Sequence, residues 1–257
     1  TGPTAADLLA TASERELAYE TVLDDEALGR WIARIEAAEL VAFDTETTSL
    51  DPMAAELVGL SLSVAPFEAC YVPVAHRYAG APDQLSREHV LSRLRSWLEN
   101  PARAKVGQNL KYDTHVLENH GVRLAGVAHD TLLESYVLEA HRNHDMDSLA
   151  ERHLGRRTIT YQEVAGKGAS QIGFEQVPVD RAARYAAEDA DVTMHLHRTL
   201  YPRIAEHAAL DRIYREIEIP VSTVLQRMER NGVLIDAPAL VRQSDELGRK
   251  MLELERR

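Results

Sequence analysis

Two carboxylates stand two residues apart in Phe43-Asp44-Thr45-Glu46, directly after an apolar run that reads as a strand, Leu40-Val41-Ala42-Phe43. On a strand that spacing puts both on one face, and an open α/β sheet places its sites at the C-terminal strand edge, where this pair falls. All-oxygen ligation suits magnesium or manganese better than zinc. The plainer reading of an Asp-x-Glu alone is a solvated strand end. A second pair, Tyr185 and Asp189, lies four residues apart on a stretch with helical spacing, so phenol and carboxylate share a face while Glu188 and Asp191 point elsewhere. An ordinary acidic helix surface accounts for this pair as well, but the alanines around it leave that face without bulk, as a close approach to another element requires. The third block, Val106-Gly107-Gln108-Asn109-Leu110-Lys111-Tyr112-Asp113, reads as a strand-to-helix turn with Gly107 at its tightest point. It sets Asp113 in the first turns of the helix, on the side facing the sheet edge, with Asn109 a natural N-cap.

The elements that position these residues follow from periodicity. Asp24 to Ala38 has helical apolar spacing, at Ala27, Leu28, Trp31, Ile32 and Ile35. Leu57 to Val64 and Ala69 to Val74 read as an antiparallel pair. Ser86 caps a helix reaching Glu99, and Ala104 to Gly107 is a short strand. Helices follow over Leu110 to Asn119, Asp130 to Ala140 and Leu149 to Leu154, the last opened by Ser148 with Glu151 at capping-box spacing. A long helix runs from Asp180 to about Leu200, and Pro202 and Pro220 break what comes next. Val221 to Met228 is again helical, Asn231-Gly232 is a turn, Val233-Leu234-Ile235 reads as a short strand, and Ser244 to Arg257 as a helix. The pattern predicts an α/β fold, a mixed sheet flanked by helices.

Composition narrows the function class. A net charge of −12 argues against a protein that coats nucleic acid, yet a site that holds cations in carboxylates is itself acidic, and the cations supply the charge a phosphate needs. The apolar runs are all shorter than the roughly 20 residues that span a bilayer, so a cytoplasmic protein is expected. The single cysteine, Cys70, sits in an apolar run and reads as buried and structural. Among eleven histidines, His195 and His197 are two apart on a helix, point different ways, and read as surface or structural groups. Thr1 to Thr11 reads as a flexible lead-in. The chain begins without methionine and ends inside an apparent helix, so both ends read as cuts in a longer polypeptide.

Taken together and in order, the three blocks resemble the three exonuclease motifs of the proofreading domain in the bacterial DNA polymerase I family, within the nucleases named for four acidic residues and a tyrosine. The resemblance covers about residues 20 to 205, and Asp145-Met146-Asp147-Ser148-Leu149-Ala150-Glu151 and Ala165-Gly166-Lys167-Gly168 are similar to further family blocks. In His141-Arg142-Asn143-His144 the arginine falls one place earlier than the family pattern has it. Glu216 to Asp236 looks like the start of the polymerase module of the same family.

The resemblance implies a ribonuclease H-like mixed sheet and three segments: a lead-in over 1–19, the exonuclease domain over 20–205, and a truncated, helical first portion of the polymerase domain over 206–257. It implies that Asp44, Glu46, Asp113 and Asp189 hold two divalent cations, Mg2+ or Mn2+, and that Tyr185 with Glu46 orients the attacking water. Asp44 would bridge both ions, Glu46 and Asp189 would complete the water-side ion, and Asp113 would act mainly through bound water. Leu50 would wedge against the terminal base, Gln108, Asn109 and Tyr112 would contact the single strand, and Phe174 would pack beside the DNA end. The implied partners are DNA with a single-stranded or frayed 3′ end and the remaining polymerase chain in cis, with no membrane, in a monomer of the bacterial cytoplasm and nucleoid. A stand-alone ribonuclease D-like RNA exonuclease shares the acids and the tyrosine but would not continue into Glu216 to Asp236. A metal-free scaffold would have lost some of the five residues, all of which are present.

Overall fold

Strand alternation and helical periodicity resolve into a sheet covered on both faces, seen in a computed structural model that describes residues 17–256. The segment Thr1 to Thr11 lies outside the described residues. β1 (Ala18–Thr21) leads into α1 (Asp25–Ala37), capped by Asp24, whose carboxylate accepts the Ala27 N–H at 2.8 Å. β2 (Leu40–Thr47), β3 (Leu57–Ala65) and β4 (Glu68–Pro73) form an antiparallel meander. α2 (Arg87–Leu98), capped by Ser86, connects to β5 (Ala104–Gly107), which lies parallel to β2. α3 (Leu110–Asn119) then leads to β6 (Val127–Asp130), parallel to β5. The order is β1-β4-β3-β2-β5-β6, a mixed six-stranded sheet.

From β6 to Ala205 the regular elements are helical: α4 (Thr131–Glu139), α5 (Met146–Leu149) running into a π-helical turn at Ala150–Leu154, α6 (Tyr161–Ala165), and the long α7 (Val179–Ala205). α8 (Ala208–Ile213) and a second π-helical turn, Tyr214–Glu218, lead into α9 (Ile219–Asn231) and α10 (Ala237–Glu255). The chain divides into one compact unit ending at Gln226 and a second from Arg227 onward. Residues 206–226 thus pack with the first unit. Tyr214, fully buried, is what ties them there. In the second unit Asp236 caps α10 through the Ala239 N–H at 3.0 Å.

Period-two alternation decides which faces are covered. Phe43 of β2 packs with Leu28, Trp31, Ile35 and Trp97 of α1 and α2, while Ala42 packs with Val106 and Met194 of α7 on the opposite face. The alanines 182, 183 and 186 of α7 bury against Val58 and Tyr71, so the helix axis lies close to the strands. Cys70 is buried in the α1–α2 side of the core. No described helix is long and apolar enough to cross a membrane.

Several expectations change. β1 begins at Ala18, inside the segment read as lead-in. The helix at Met146 is capped by Asp145, whose carboxylate takes the Ser148 N–H at 2.9 Å, so Ser148 sits in the first turn and not at the cap. Pro202 does not end α7, which continues to Ala205; near a helix end the lost hydrogen bond is one of few still to be made. Val233 to Ile235 forms no strand, because nothing in its unit offers a partner edge among the described residues.

β3 carries a position that only glycine fits. A Cβ on Gly59, which pairs with Glu46 across the strand boundary, would lie 2.1 Å from Tyr71 Oη. That hydroxyl is held by His76 Nε2 at 2.8 Å, and His76 Nδ1 reaches the Val177 carbonyl at 2.9 Å. Tyr71 therefore has no free path aside, and Gly59→Ala is expected to lower stability by about 1–3 kcal/mol. A thermal melt checks this; an unshifted melting temperature would mean Tyr71 repacks without strain.

Candidate active site

On β2 the face of Ala42 continues through Asp44 and Glu46, so both carboxylates point toward α7, as the two-residue spacing requires. α7 delivers Asp189 to the same place: carboxylate oxygens of Asp44, Glu46 and Asp189 all lie within 4.8 Å of one another. One turn earlier on α7, the Tyr185 hydroxyl interacts with Asp189, and its ring packs 5.9 Å from Phe174 and 6.4 Å from Tyr161. Glu188 and Asp191 face away, both held by Arg156 at 3.0 Å. Asp113 stands beside the trio, not within it. One of its oxygens receives the Thr45 N–H at 3.0 Å and the Thr45 hydroxyl at 2.6 Å.

Four acids this close cannot all ionise at neutral pH without a counter-charge. Burial, then the charge of Asp189, pushes the Asp44 carboxyl up to about 8. Burial, then Asp44 and Asp189, raises Glu46 well above the carboxylate range. Burial and Asp44 do the same to Asp113. Asp189 is also raised by burial, against the Tyr185 interaction. Glu46 Oε1 is buried without a hydrogen-bond partner. A converging all-oxygen donor set with an orphaned buried oxygen fits one or two hard divalent cations.

The expected substrate residues divide into exposed and occupied groups. Leu50 is 96% exposed beyond the end of β2. Tyr112 donates to the Ser49 carbonyl and hydrogen-bonds Thr47 Oγ1, anchoring the loop that carries Leu50. Gln108 spends both ends of its amide inside the protein: Nε2 donates to the His144 carbonyl at 2.7 Å and Oε1 accepts from Thr131 Oγ1. Phe174 is fully buried, behind Tyr185 and away from the surface. The aromatic that does reach solvent there is Tyr161, 38% exposed and stacked on Phe174. Sequence reasoning passed over Tyr161, although Thr160 and Glu163 around it form a capping box that marks a helix start.

Asn109 occupies the N-cap position in the left-handed region, φ 64°, and its side chain makes no capping bond. Asp130, at the end of β6, does that work. Its two oxygens accept the Asn109 N–H at 3.0 Å and the Leu110 N–H at 2.8 Å, and it caps α4 through the Leu132 N–H at 3.0 Å. Burial holds its carboxyl up at about 6 even against these backbone donors. The Asn109 side chain is left exposed and free of the capping role.

Comparison with known proteins agrees with this geometry. Residues 19–205 match the 3′-5′ exonuclease family. DNA polymerase I of Pseudomonas aeruginosa is 50% identical over 249 residues, covering 96% of this chain and 27% of that protein. DNA polymerase I of Rhizobium leguminosarum is 43% identical, covering 97% of this chain and 26% of the relative. The chain thus spans about a quarter of the length of these relatives. Among solved structures, the POL domain of Pol1 from M. smegmatis in complex with DNA primer-template and dNTP superposes with a TM-score of 0.72 at 20% identity, over 91% of this chain and 36% of that one. Trypanosoma brucei RNase D superposes at 0.56 and 17% identity, over 72% and 65%. At those identities the two structures bear on the fold alone. With the family matched over residues 19–205 and the acids and tyrosine gathered between β2 and α7, the chain belongs to the 3′-5′ exonuclease family of bacterial DNA polymerase I.

Proposed function

We propose that this chain is the editing part of a DNA polymerase, removing nucleotides one at a time from a frayed 3′ end of DNA with Mg2+ or Mn2+, and that 206–257 begins a polymerase module continuing in cis. The observation that carries this reading is the convergence of Asp44, Glu46 and Asp189 beside Tyr185. These three carboxylates would hold one ion, and Asp113 with Asp44 a second. Bound in pairs, such ions activate water and stabilise the departing 3′ oxygen of a phosphodiester.

The protein's own groups do the rest. Tyr185, braced by Phe174, and Glu46 orient the attacking water. The Asp113 carboxylate is fixed by Thr45, so it keeps one orientation toward the cluster. Leu50, held out by the Tyr112 anchor, meets the terminal base, with Tyr161 as the exposed aromatic of the Tyr185 ring cluster. Asn109 meets the sugar-phosphate, and Gln108 and Phe174 position the residues around them. Contacts of this kind read no sequence, and a mismatched end is selected because it melts at lower cost.

Degradation of a 3′-labelled DNA oligonucleotide, with and without magnesium and against an RNA of the same sequence, tests the proposal. Release of 5′ mononucleotides from DNA only with the metal is expected; equal or faster cleavage of RNA would move the chain to RNA trimming. Leu50→Ala is expected to slow the single-strand reaction by roughly 5- to 100-fold, since a stacked base is worth roughly 1–3 kcal/mol. Its melting temperature should not move, because Leu50 is solvated. An unchanged rate would remove Leu50 from the site.

A further inference from the structure

About two turns beyond Asp189 on α7, a second group of potential ligands converges from separate elements. His197 Nδ1 lies 2.7 Å from Glu134 Oε1 of α4. His129 Nδ1, from β6, lies 3.3 Å from the same oxygen. Tyr214 Oη is 3.3 Å from that oxygen and 3.4 Å from His129 Nδ1. Glu134 is 0% exposed, and its other oxygen, Oε2, has no hydrogen-bond partner. Hydrogen bonding alone leaves this arrangement lopsided, with three neighbours crowding one carboxylate oxygen and none on the other. The Tyr214 hydroxyl already accepts the Asp130 N–H at 2.9 Å.

Three of these separations, 3.3, 3.3 and 3.4 Å, match a common ion, while the 2.7 Å between His197 and Glu134 is that of a hydrogen bond which an ion would have to open. Ligand atoms at roughly 2.0 Å from a tetrahedral ion stand about 3.3 Å from one another. We propose that His129, Glu134 and His197 form a metal site for a transition ion of the zinc class, with Tyr214 Oη at the fourth corner. Two imidazoles and one carboxylate select zinc or cobalt(II) over magnesium, which sets this site apart from the all-oxygen cluster at Asp44. Glu134 supplies one oxygen to the ion, and its buried, unpartnered carboxylate is the charge that the ion neutralises. With the fourth corner closed by Tyr214 as the phenolate, its proton released as the ion binds, the role is structural. The ion would staple β6, α4 and α7 to the segment Tyr214–Glu218, the same segment by which residues 206–226 join the first unit.

The test uses the chain with Asp44→Ala and Asp189→Ala, which disables the acidic cluster, stripped with chelator and titrated with cobalt(II) and then zinc. Expected are one equivalent of cobalt(II) with the visible absorption of a four-coordinate ion, its displacement by zinc, and a zinc-dependent rise in melting temperature. His197→Ala opens a hole inside the cluster, so the diagnostic variant is His129→Phe, which keeps an aromatic ring near Tyr201, 4.5 Å away, and loses both ring nitrogens. It should bind zinc at least about a hundredfold more weakly while melting as before in chelator. No saturable cobalt spectrum and no zinc shift, or binding that survives His129→Phe, would reduce the group to a hydrogen-bonded cluster and overturn the site.

Discussion

Asp189→Ala and Asp44→Ala are each expected to abolish 3′→5′ degradation, with losses of at least about 10³-fold. Each removes a carboxylate from the group whose oxygens lie within 4.8 Å of one another. An ion is worth several kcal/mol of transition-state charge stabilisation, and each 1.4 kcal/mol or so is a factor of ten in rate. Tyr185→Phe should fall less far. Orienting a water is worth roughly 10²–10⁴, and Glu46 retains part of that. Initial rates on a labelled single strand at saturating magnesium decide the matter. A loss below tenfold for Asp189→Ala, or the same loss for Tyr185→Phe, would mean that the roles are wrongly distributed among these residues.

The second large effect is on stability and follows from the same acids. In chelator, carboxyls that titrate near 4 in the unfolded chain are held higher in the folded one, Asp44 at about 8. The folded state thus keeps protons that the unfolded state has released, and unfolding sheds them. Raising pH therefore favours unfolding: stability is lost progressively from about pH 4 to about pH 8. Magnesium is expected to reverse this loss at neutral pH and raise the melting temperature, the rise growing with the excess of metal over its dissociation constant. Asp44→Ala and Asp189→Ala should melt at or above the wild type in chelator, although most changes at partly buried positions cost about 0.5–3 kcal/mol. Their response to magnesium should shrink. Thermal melts of all three proteins across pH, with chelator and with millimolar magnesium, measure it. A wild type indifferent to metal, or both variants melting well below it in chelator, would show that these acids do not repel one another.

The legible part of the sequence was the part under two constraints at once. β2 to β5, α1 to α3 and α7 carry apolar periodicity and turn or cap residues that agree, and Asp44, Glu46, Tyr185 and Asp189 inherit their convergence from those periods. β1 and β6 were missed because they are the two edges of the sheet. Ala-Tyr-Glu-Thr and Val-Ala-His-Asp are four-residue strands, paired on one side only and with little apolar alternation to betray them. Missing β6 also hid Asp130, whose place at the strand end lets one carboxylate serve the starts of both α3 and α4. The exposed aromatic near the acids, Tyr161, was hidden for another reason. Phe174 and Tyr161 stack on each other, and which of the two faces water depends on α6 and the loops after it, whose packing has no period to read.

The acids also come together from far apart along the chain, and order of synthesis gives that distance a meaning. A chain leaving the ribosome exposes Asp44, Glu46 and Asp113 well before Asp189. The sheet needs only residues up to Asp130, so its strands can pair while α7 is still in the exit tunnel, as domains that fold from the N-terminal side do. Closing the long loop back to β2 adds little entropy cost, because that cost grows only with the logarithm of length. What it imposes is sequence in time: the last carboxylate arrives with the last helix to cover the sheet. A nascent chain therefore carries no complete cluster of acids, and their mutual repulsion enters only after the rest of the core is there to bear it.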